Sequence, residues 1–286
     1  MKYAWIGTHR NAFEVEAMCR VLAVSKSGFY ASLKRPLCAR ALRTQALIDP
    51  IKRSFNTSRQ TYGAPRVFKD LRAQDIKVCE NTVAKIMREN RLRAEDKKAF
   101  VPCTTDANHD FPIVENTLDR DFRANAPNRK WVADITYVAT AEGWLYVAAV
   151  LDLYSRKIIG WSMAEHMRES LVEDALRMAL LRRKPGRNVL HHSDRGSQYA
   201  CGKYRSLLAR NGFACSMSRT GNCYDNAVME SFWGTLKTEL IYRQKYLTRD
   251  AARQSIFEYI EVFYNRSRRH SSLGYASPEA FEAAAN

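Results

Sequence analysis

The sequence predicts an α/β protein, a mixed sheet covered by helices and preceded by an all-α region of helix-turn-helix character. Three observations carry this. Before residue 94 the apolar side chains recur at helical spacing. From Trp131 they alternate or form short continuous runs, and between residues 168 and 240 strand-length runs alternate with amphipathic helices. The pattern divides the chain into a helix-turn-helix-like segment over 1–42, a second helix-turn-helix unit over 43–93, a linker over 94–130, an α/β core over 131–240 and a basic helical segment over 241–286.

In FEVEAMCRVLAVSKSGFYASLK (13–34), Val15, Met18, Cys19 and Leu22 fall at helical spacing, and Ser25 to Gly28 interrupt before a second short helix. The same logic repeats over 43–93. A helix covers Leu47–Phe55. Tyr62, Gly63, Ala64 and Pro65 start another, with Pro65 in the first turn, where its missing N–H has no intrahelical partner. Asn81 is placed to cap the last helix, TVAKIMREN. There Val83, Ile86 and Met87 face a core and leave Thr82, Lys85, Arg88 and Arg91 outward, as a helix reading a DNA groove requires. A small helical bundle with a solvated basic face has the same pattern. Residues 94–130 lose periodicity and collect Pro102, Pro112 and Pro127, which reads as a linker.

WVADITYV (131–138) alternates, AEG turns the chain, and WLYVAAVLDLYSRKIIGW continues in β-rich runs, the pattern of an antiparallel hairpin. RESLVEDALRMALLRR (168–183) is an amphipathic helix with Leu171, Ala175, Met178 and Leu181 on one stripe. NVLHHSD is then a short buried strand, KYRSLLARNGF a helix, ACSMS a strand and NAVMESFWGTLKTELIY a helix.

The 286 residues carry 46 Lys and Arg against 30 Asp and Glu, a formal +16, which favours an anionic partner. Residues 1–100 hold 21 basic and 9 acidic side chains, the remainder 25 and 21, so the excess concentrates at the N-terminal third. On charge alone a ribosomal or membrane-surface protein fits as well. Seven cysteines without a CxxC pair signal neither a zinc knuckle nor a disulfide framework and suit a reducing cytoplasm. No apolar run reaches membrane-spanning length, and the acidic residues of MKYAWIGTHRNAFEVE come too early for a signal peptide.

Three acids stand out as a set: each carboxylate alone is more often a solvated or capping residue than a ligand, and the triple in this order and element context is the specific signal. Asp134 interrupts the apolar run WVADITYV, where burial without a partner costs several kcal/mol, roughly, and a bound cation offsets it. Asp194 ends the strand VLHHSD, before a loop kept small by Gly196 and Ser197. Glu230 lies on the helix after Asn222–Asp225, opposite the stripe of Val228, Phe232, Leu236 and Leu240, and Lys237 shares its face two turns on. Glu239 falls among the apolar positions and is excluded, and Asp225 reads as the helix N-cap. Asp152, at the end of a strand in LDLYS, remains a further candidate. Hard divalent cations such as magnesium take carboxylate oxygens, and two of them roughly 4 Å apart clamp the attacking and leaving oxygens of a phosphoryl transfer.

With 35 residues between Asp194 and Glu230, Lys237 seven beyond, and the stretches WVADITY, HHSDRGSQY, DNAVMESFWGTLKTE and YNRSRRHSSLGYASPEAF, the chain closely resembles the OrfB transposases of the insertion sequence three family. The match covers residues 50–286. The resemblance implies a ribonuclease H-like, retroviral-integrase-like core: a five-stranded mixed sheet with helices on both faces. It implies two Mg2+ ions, with Mn2+ as a substitute, held by Asp134, Asp194 and Glu230, the catalytic residues. It also implies cleavage and strand transfer of DNA at terminal inverted repeats. An upstream zipper-containing OrfA partner or frameshift fusion is expected, since this chain has no long heptad segment, along with a homo-oligomer on DNA. Cys103 and His109 stand alone, unlike a His/Cys zinc module.

Lys85, Arg88, Lys237, Arg266, Arg268, Arg269 and His270 are the expected DNA contacts, the last four within a C-terminal stretch where basic residues interleave with Tyr242, Tyr246, Tyr259 and Tyr264. A solvated helix face is the alternative for that stretch. His191 or His192 could orient a water or contact DNA, or be packed locally; Trp233 could stack on a displaced base, with packing favoured. Two rival functions are a ribonuclease H-like nuclease without strand transfer and a DNA-binding regulator with an inactive core. Retention of all three acids and Lys237 argues against the regulator.

Overall fold

A computed structural model describes residues 1–34, 38–94, 111–220 and 222–285. Residues 95–110 of the expected linker, with Pro102, Cys103 and His109, lie outside the described residues. The chain divides into two compact units, Met1–Arg53 and Ser54–Asn286. Among the described residues no helix is long and apolar enough to cross a membrane.

The first unit holds α1 (Lys2–His9), α2 (Val15–Val21), α3 (Lys26–Lys34) and most of α4 (Ala39–Thr57). Ile6, Met18, Cys19 and Phe29 form its apolar centre, with Val15 and Leu22 packed against them. Sequence periodicity missed α1. At the expected interruption, Ser25 Oγ accepts a hydrogen bond from Gly28 N at 2.8 Å and so starts α3.

The second unit begins with α5 (Ala64–Ala73), with Pro65 in its first turn, and α6 (Glu80–Glu89). Val67 and Leu71 of α5 and Val83, Ile86 and Met87 of α6 are buried, while Lys85, Arg88 and Arg91 are exposed. The cap of α6 is Cys79, not Asn81; the helix starts earlier, and Glu80 in the first turn suits the positive end of the helix dipole.

Five strands follow: β1 (Lys130–Thr140), β2 (Gly143–Asp152), β3 (Ile158–Ala164), β4 (Leu190–Ser193) and β5 (Ala214–Met217). They form one sheet in the order β3-β2-β1-β4-β5, antiparallel through the hairpin strands and parallel across β1-β4-β5. Between β3 and β4 runs α7 (Glu169–Arg183), and between β4 and β5 run α8 (Ser197–Ala200) and α9 (Gly202–Arg210). Trp131 and Ala133 of β1 join Val172, Leu176, Tyr204 and Leu208 in the apolar layer on one face. The alternate residues of β1 point to the other face, where α10 (Ala227–Glu239) packs.

The buried stripe of α7 keeps Leu171 and Ala175 of the expected one but runs on through Val172, Leu176 and Ala179, leaving Met178 half-buried and Leu181 exposed. Gly160 explains the rotation. A Cβ there would overlap the Ala175 carbonyl and the Ala179 backbone, so the helix lies close on β3 through its small residues.

After α10 the chain forms α11 (Arg249–Glu258), capped by Thr248 Oγ1 accepting from Ala251 N at 3.1 Å. It continues through a π-helical turn at Tyr259–Tyr264 to α12 (Pro278–Ala283), capped by Ser277. Tyr259, Ile260, Phe263 and Tyr264 are buried. Asn265 pairs with the Ile158 backbone through both its amide oxygen and nitrogen, each at 2.9 Å, which fastens this segment to the start of β3.

Candidate active site

The sheet register sets the first two acids. Val132 of β1 pairs with His192 of β4 in parallel, so two residues further along Asp134 is level with Asp194, just past the end of β4. Both are half-buried. Asp134 Oδ1 accepts from Ile135 N at 2.8 Å, and Oδ2 accepts from Trp233 Nε1 of α10 at 3.1 Å. Burial, and then the charge of Asp194, hold the Asp134 carboxyl well above the usual carboxylate range; Glu230 adds a smaller push. Asp194 Oδ1 accepts from Gly196 N at 3.0 Å, in the turn that opens α8.

Glu230 occupies the first turn of α10 and is exposed; partial burial raises its pKa. Three residues on, Trp233 reaches Asp134, so Glu230 stands one turn from that contact. Lys237, one turn further, is half-buried with Nζ 5.4 Å from the centre of the Tyr137 ring. Burial lowers its pKa, and the Asp134 carboxylate works against that shift. Among the described residues no three His, Cys, Asp or Glu side chains lie close enough together to hold a metal ion as they stand.

Several expected residues serve the fold instead. Arg268 is 4% exposed and forks onto Glu239 at 2.6 and 2.7 Å, while Tyr259 donates to the same carboxylate at 2.8 Å. Arg269 pairs with Asp70 and donates to the Tyr275 carbonyl at 2.9 Å, and His270 is buried. These three were expected on DNA; their charge is spent, or their ring enclosed, inside the protein. Arg266 remains exposed, 3.6 Å from Glu279. Lys85 is exposed beside Glu89 at 3.8 Å.

Asp225 is not a helix cap. Its buried carboxylate takes Arg219 at 2.8 Å, Arg120 at 3.0 Å and Asn116 Nδ2 at 2.9 Å, and those bonds, Arg219 first, hold its pKa far below the usual range. The residue at the N-cap of α10 is Asn226. Asp152 is buried against Arg183 at 3.1 Å and the amides of Asn128 and Tyr154, away from the acidic pair. Its pKa still rises, because burial outweighs these partners. His191 meets Tyr204 Oη at 3.0 Å, and His192 lies between Ser216 and Ser218 at 2.9 and 3.1 Å. Burial lowers them to about 3 and about 4, so both are neutral packing residues. The Trp233 bond to Asp134 is what sequence reasoning missed; the helical wheel put Trp233 on the Glu230 side but gave no partner.

Integrase core domain models match residues 124–223 and 211–278, and a model of an HTH-like domain matches residues 42–100. "Transposase InsF for insertion sequence IS3A" of Escherichia coli (strain K12) is 46% identical over 99% of this chain and 98% of its own length. The chain belongs to the InsF transposase family of insertion sequences. An "Insertion element IS600 uncharacterized 31 kDa protein" of Shigella sonnei is 46% identical over 92% of this chain and 97% of its own. Among solved structures, the intasome of simian T-cell lymphotropic virus in complex with a PP2A regulatory subunit aligns with TM-score 0.48 at 14% identity, covering 81% of this chain and 74% of that one. The HTLV-2 integrase catalytic core in complex with magnesium aligns with TM-score 0.43 at 15% identity, covering 56% and 99%. As an InsF-family transposase with an integrase core, the protein is a polynucleotidyl transferase with a ribonuclease H-like mixed sheet.

Proposed function

We propose that the protein binds insertion-sequence ends, cleaves the DNA and joins it to target DNA by metal-dependent strand transfer, with Asp134, Asp194 and Glu230 as the catalytic carboxylates. The observation that carries this reading is the parallel β1-β4 register, which sets Asp134 level with Asp194 while α10 brings Trp233 onto Asp134.

The donor set suits a hard cation. The Asp134 carboxyl, raised by burial and by the Asp194 charge, is relieved by positive charge beside it, and both carboxylates accept from N–H donors. Glu230, exposed one turn from Trp233, completes the set by a side-chain rotation. When bound, two Mg2+ ions, or Mn2+, neutralise the phosphate and stabilise the attacking and leaving oxygens. Trp233 holds Asp134 in its ligating orientation. Lys237 grips the phosphate beside the scissile bond, and Lys85, Arg88 and Arg266 hold the DNA backbone.

In this reading residues 43–93 recognise the terminal inverted repeats, 94–130 link them to the core over 131–240, and 241–286 complete the enzyme behind it. The working form is a homo-oligomer on DNA, joined by or fused to an upstream zipper-containing partner, in the cytoplasm at the nucleoid. Labelled element ends are incubated with Mg2+ and the chain, alone and fused to that partner, and the DNA is resolved. Joined products are expected; hydrolysed ends without joining would support a nuclease instead.

A further inference from the structure

A cavity of ≈ 520 Å3 lies against the opposite face of α10 from Glu230 and Lys237. Its walls carry four guanidiniums, Arg66, Arg156, Arg243 and Arg268, and one carboxylate, Glu239. Glu239 is already bound by the fork of Arg268 and by Tyr259, with Arg66 3.9 Å away. Arg243 directs its two terminal nitrogens to the carbonyls of Arg59 and Gln60 at 2.6 and 3.1 Å. Arg156 donates Nη2 to the Phe122 carbonyl at 3.1 Å, while its Nη1 is buried with no hydrogen-bond partner. His270, also on the wall, is held neutral at about 3 by burial and by Arg268, so it adds no charge.

Guanidiniums are costly to enclose unless an anion meets them; burial, with the Arg268 charge, lowers the proton affinity of Arg66, and burial outweighs the pull of Tyr264 and Asp152 on Arg156. A planar donor fork matches the oxygens of phosphate and of carboxylate, and phosphate is the anion that a DNA-joining enzyme meets on its substrates. The volume falls inside the roughly 300–1,000 Å3 range of small-molecule sites, so more than a bare phosphate fits.

We propose that this cavity is a phosphate-binding site that takes the phosphate of a nucleotide or of a DNA strand end, with Arg156 Nη1 as the waiting donor and Arg66 and Arg243 closing round it. It lies apart from the acidic residues and needs no metal, so it stands or falls separately from the proposed chemistry at Asp134.

Isothermal titration of the full chain in chelator tests this with four probes: inorganic phosphate, deoxyadenosine 5′-monophosphate, and one single-stranded oligonucleotide with and without a 5′-phosphate. At least one phosphate-bearing probe is expected to bind, with about tenfold or greater weakening in Arg156→Met and partial recovery in Arg156→Lys. Asp134→Asn retains the binding. Binding of the free anions identifies a nucleotide site; a preference for the 5′-phosphorylated strand alone identifies a strand-end site. Arg66→Met, judged by the same threshold, serves if Arg156→Met fails to fold. No binding by the native chain, or equal affinity in a folded Arg156→Met or Arg66→Met, overturns the proposal.

Discussion

The indole N–H of Trp233 donates to Asp134 Oδ2 at 3.1 Å and so ties α10 to the centre of the sheet at the acid of β1. The bond favours the ionised carboxylate, against the burial and the Asp194 charge that raise its pKa. Trp233→Phe is therefore expected to raise the Asp134 pKa further. The rising limb of the pH–cleavage profile moves to higher pH, with about tenfold loss of cleavage at neutral pH. The measurement is end cleavage against pH; an unmoved limb would make Trp233 a packing residue only.

Asp134→Asn, Asp194→Asn and Glu230→Gln are each expected to abolish cleavage and leave DNA binding nearly intact, because each removes a ligand charge and little volume. Glu239→Gln leaves the chemistry in place and loses stability. Gel-resolved cleavage and filter binding on the same preparations separate the two effects, and wild-type cutting by any of the first three removes that residue from the set.

The raised Asp134 pKa also sets a pH dependence of stability without metal. A folded-state pKa above the unfolded value gives a contribution that is fully present below the unfolded pKa and lost as pH rises through the folded one. In chelator at neutral pH, Asp134→Asn is thus expected to melt higher than wild type, by about 2–4 °C. Mg2+ should narrow that gap by stabilising the wild type. Scanning calorimetry across pH checks both, and a lower-melting asparagine variant contradicts the charge argument.

Arg268→Ala leaves Glu239 buried without its fork and is expected to cost about 3–5 kcal/mol, against a change within about 0.5 kcal/mol for exposed Arg266→Ala. Urea unfolding of both variants measures it. Near-wild-type stability in Arg268→Ala would return that residue to the DNA-contact candidates.

Lys237→Ala is expected to change the melt little while reducing end cleavage about tenfold or more, and Lys237→Arg to recover part of it. Full activity in the alanine variant would leave Lys237 as a residue packed on Tyr137.

For Lys85→Ala and Arg88→Ala, the slope of log K against log salt should fall by about 1 for each phosphate contact removed. The full chain is the right material, because residues 54–94 pack on the C-terminal segment through Arg269 with Asp70 and through Tyr62 with Ser267. An unchanged slope in both variants would take α6 off the DNA.

By itself the sequence determined the order of strands and helices in the core, the outward basic pair Lys85 and Arg88 of α6, and the acids at the middle of β1, the end of β4 and the first turn of α10. These follow from local periodicity and from polar residues set against it, all readable within a window of one element. The tertiary structure alone decided where Arg268, Arg269, His270 and Asp225 went. A basic residue reads the same in one dimension whether solvated or buried; its fate depends on partners such as Glu239, 29 residues from Arg268, and Asp70, 199 residues from Arg269. Burial and charge pairing are set by which elements meet, and no short-range pattern encodes that meeting. The same holds for the stripe of α7, fixed by its approach to Gly160, and for the bond from Trp233 to Asp134, made across 99 residues of chain.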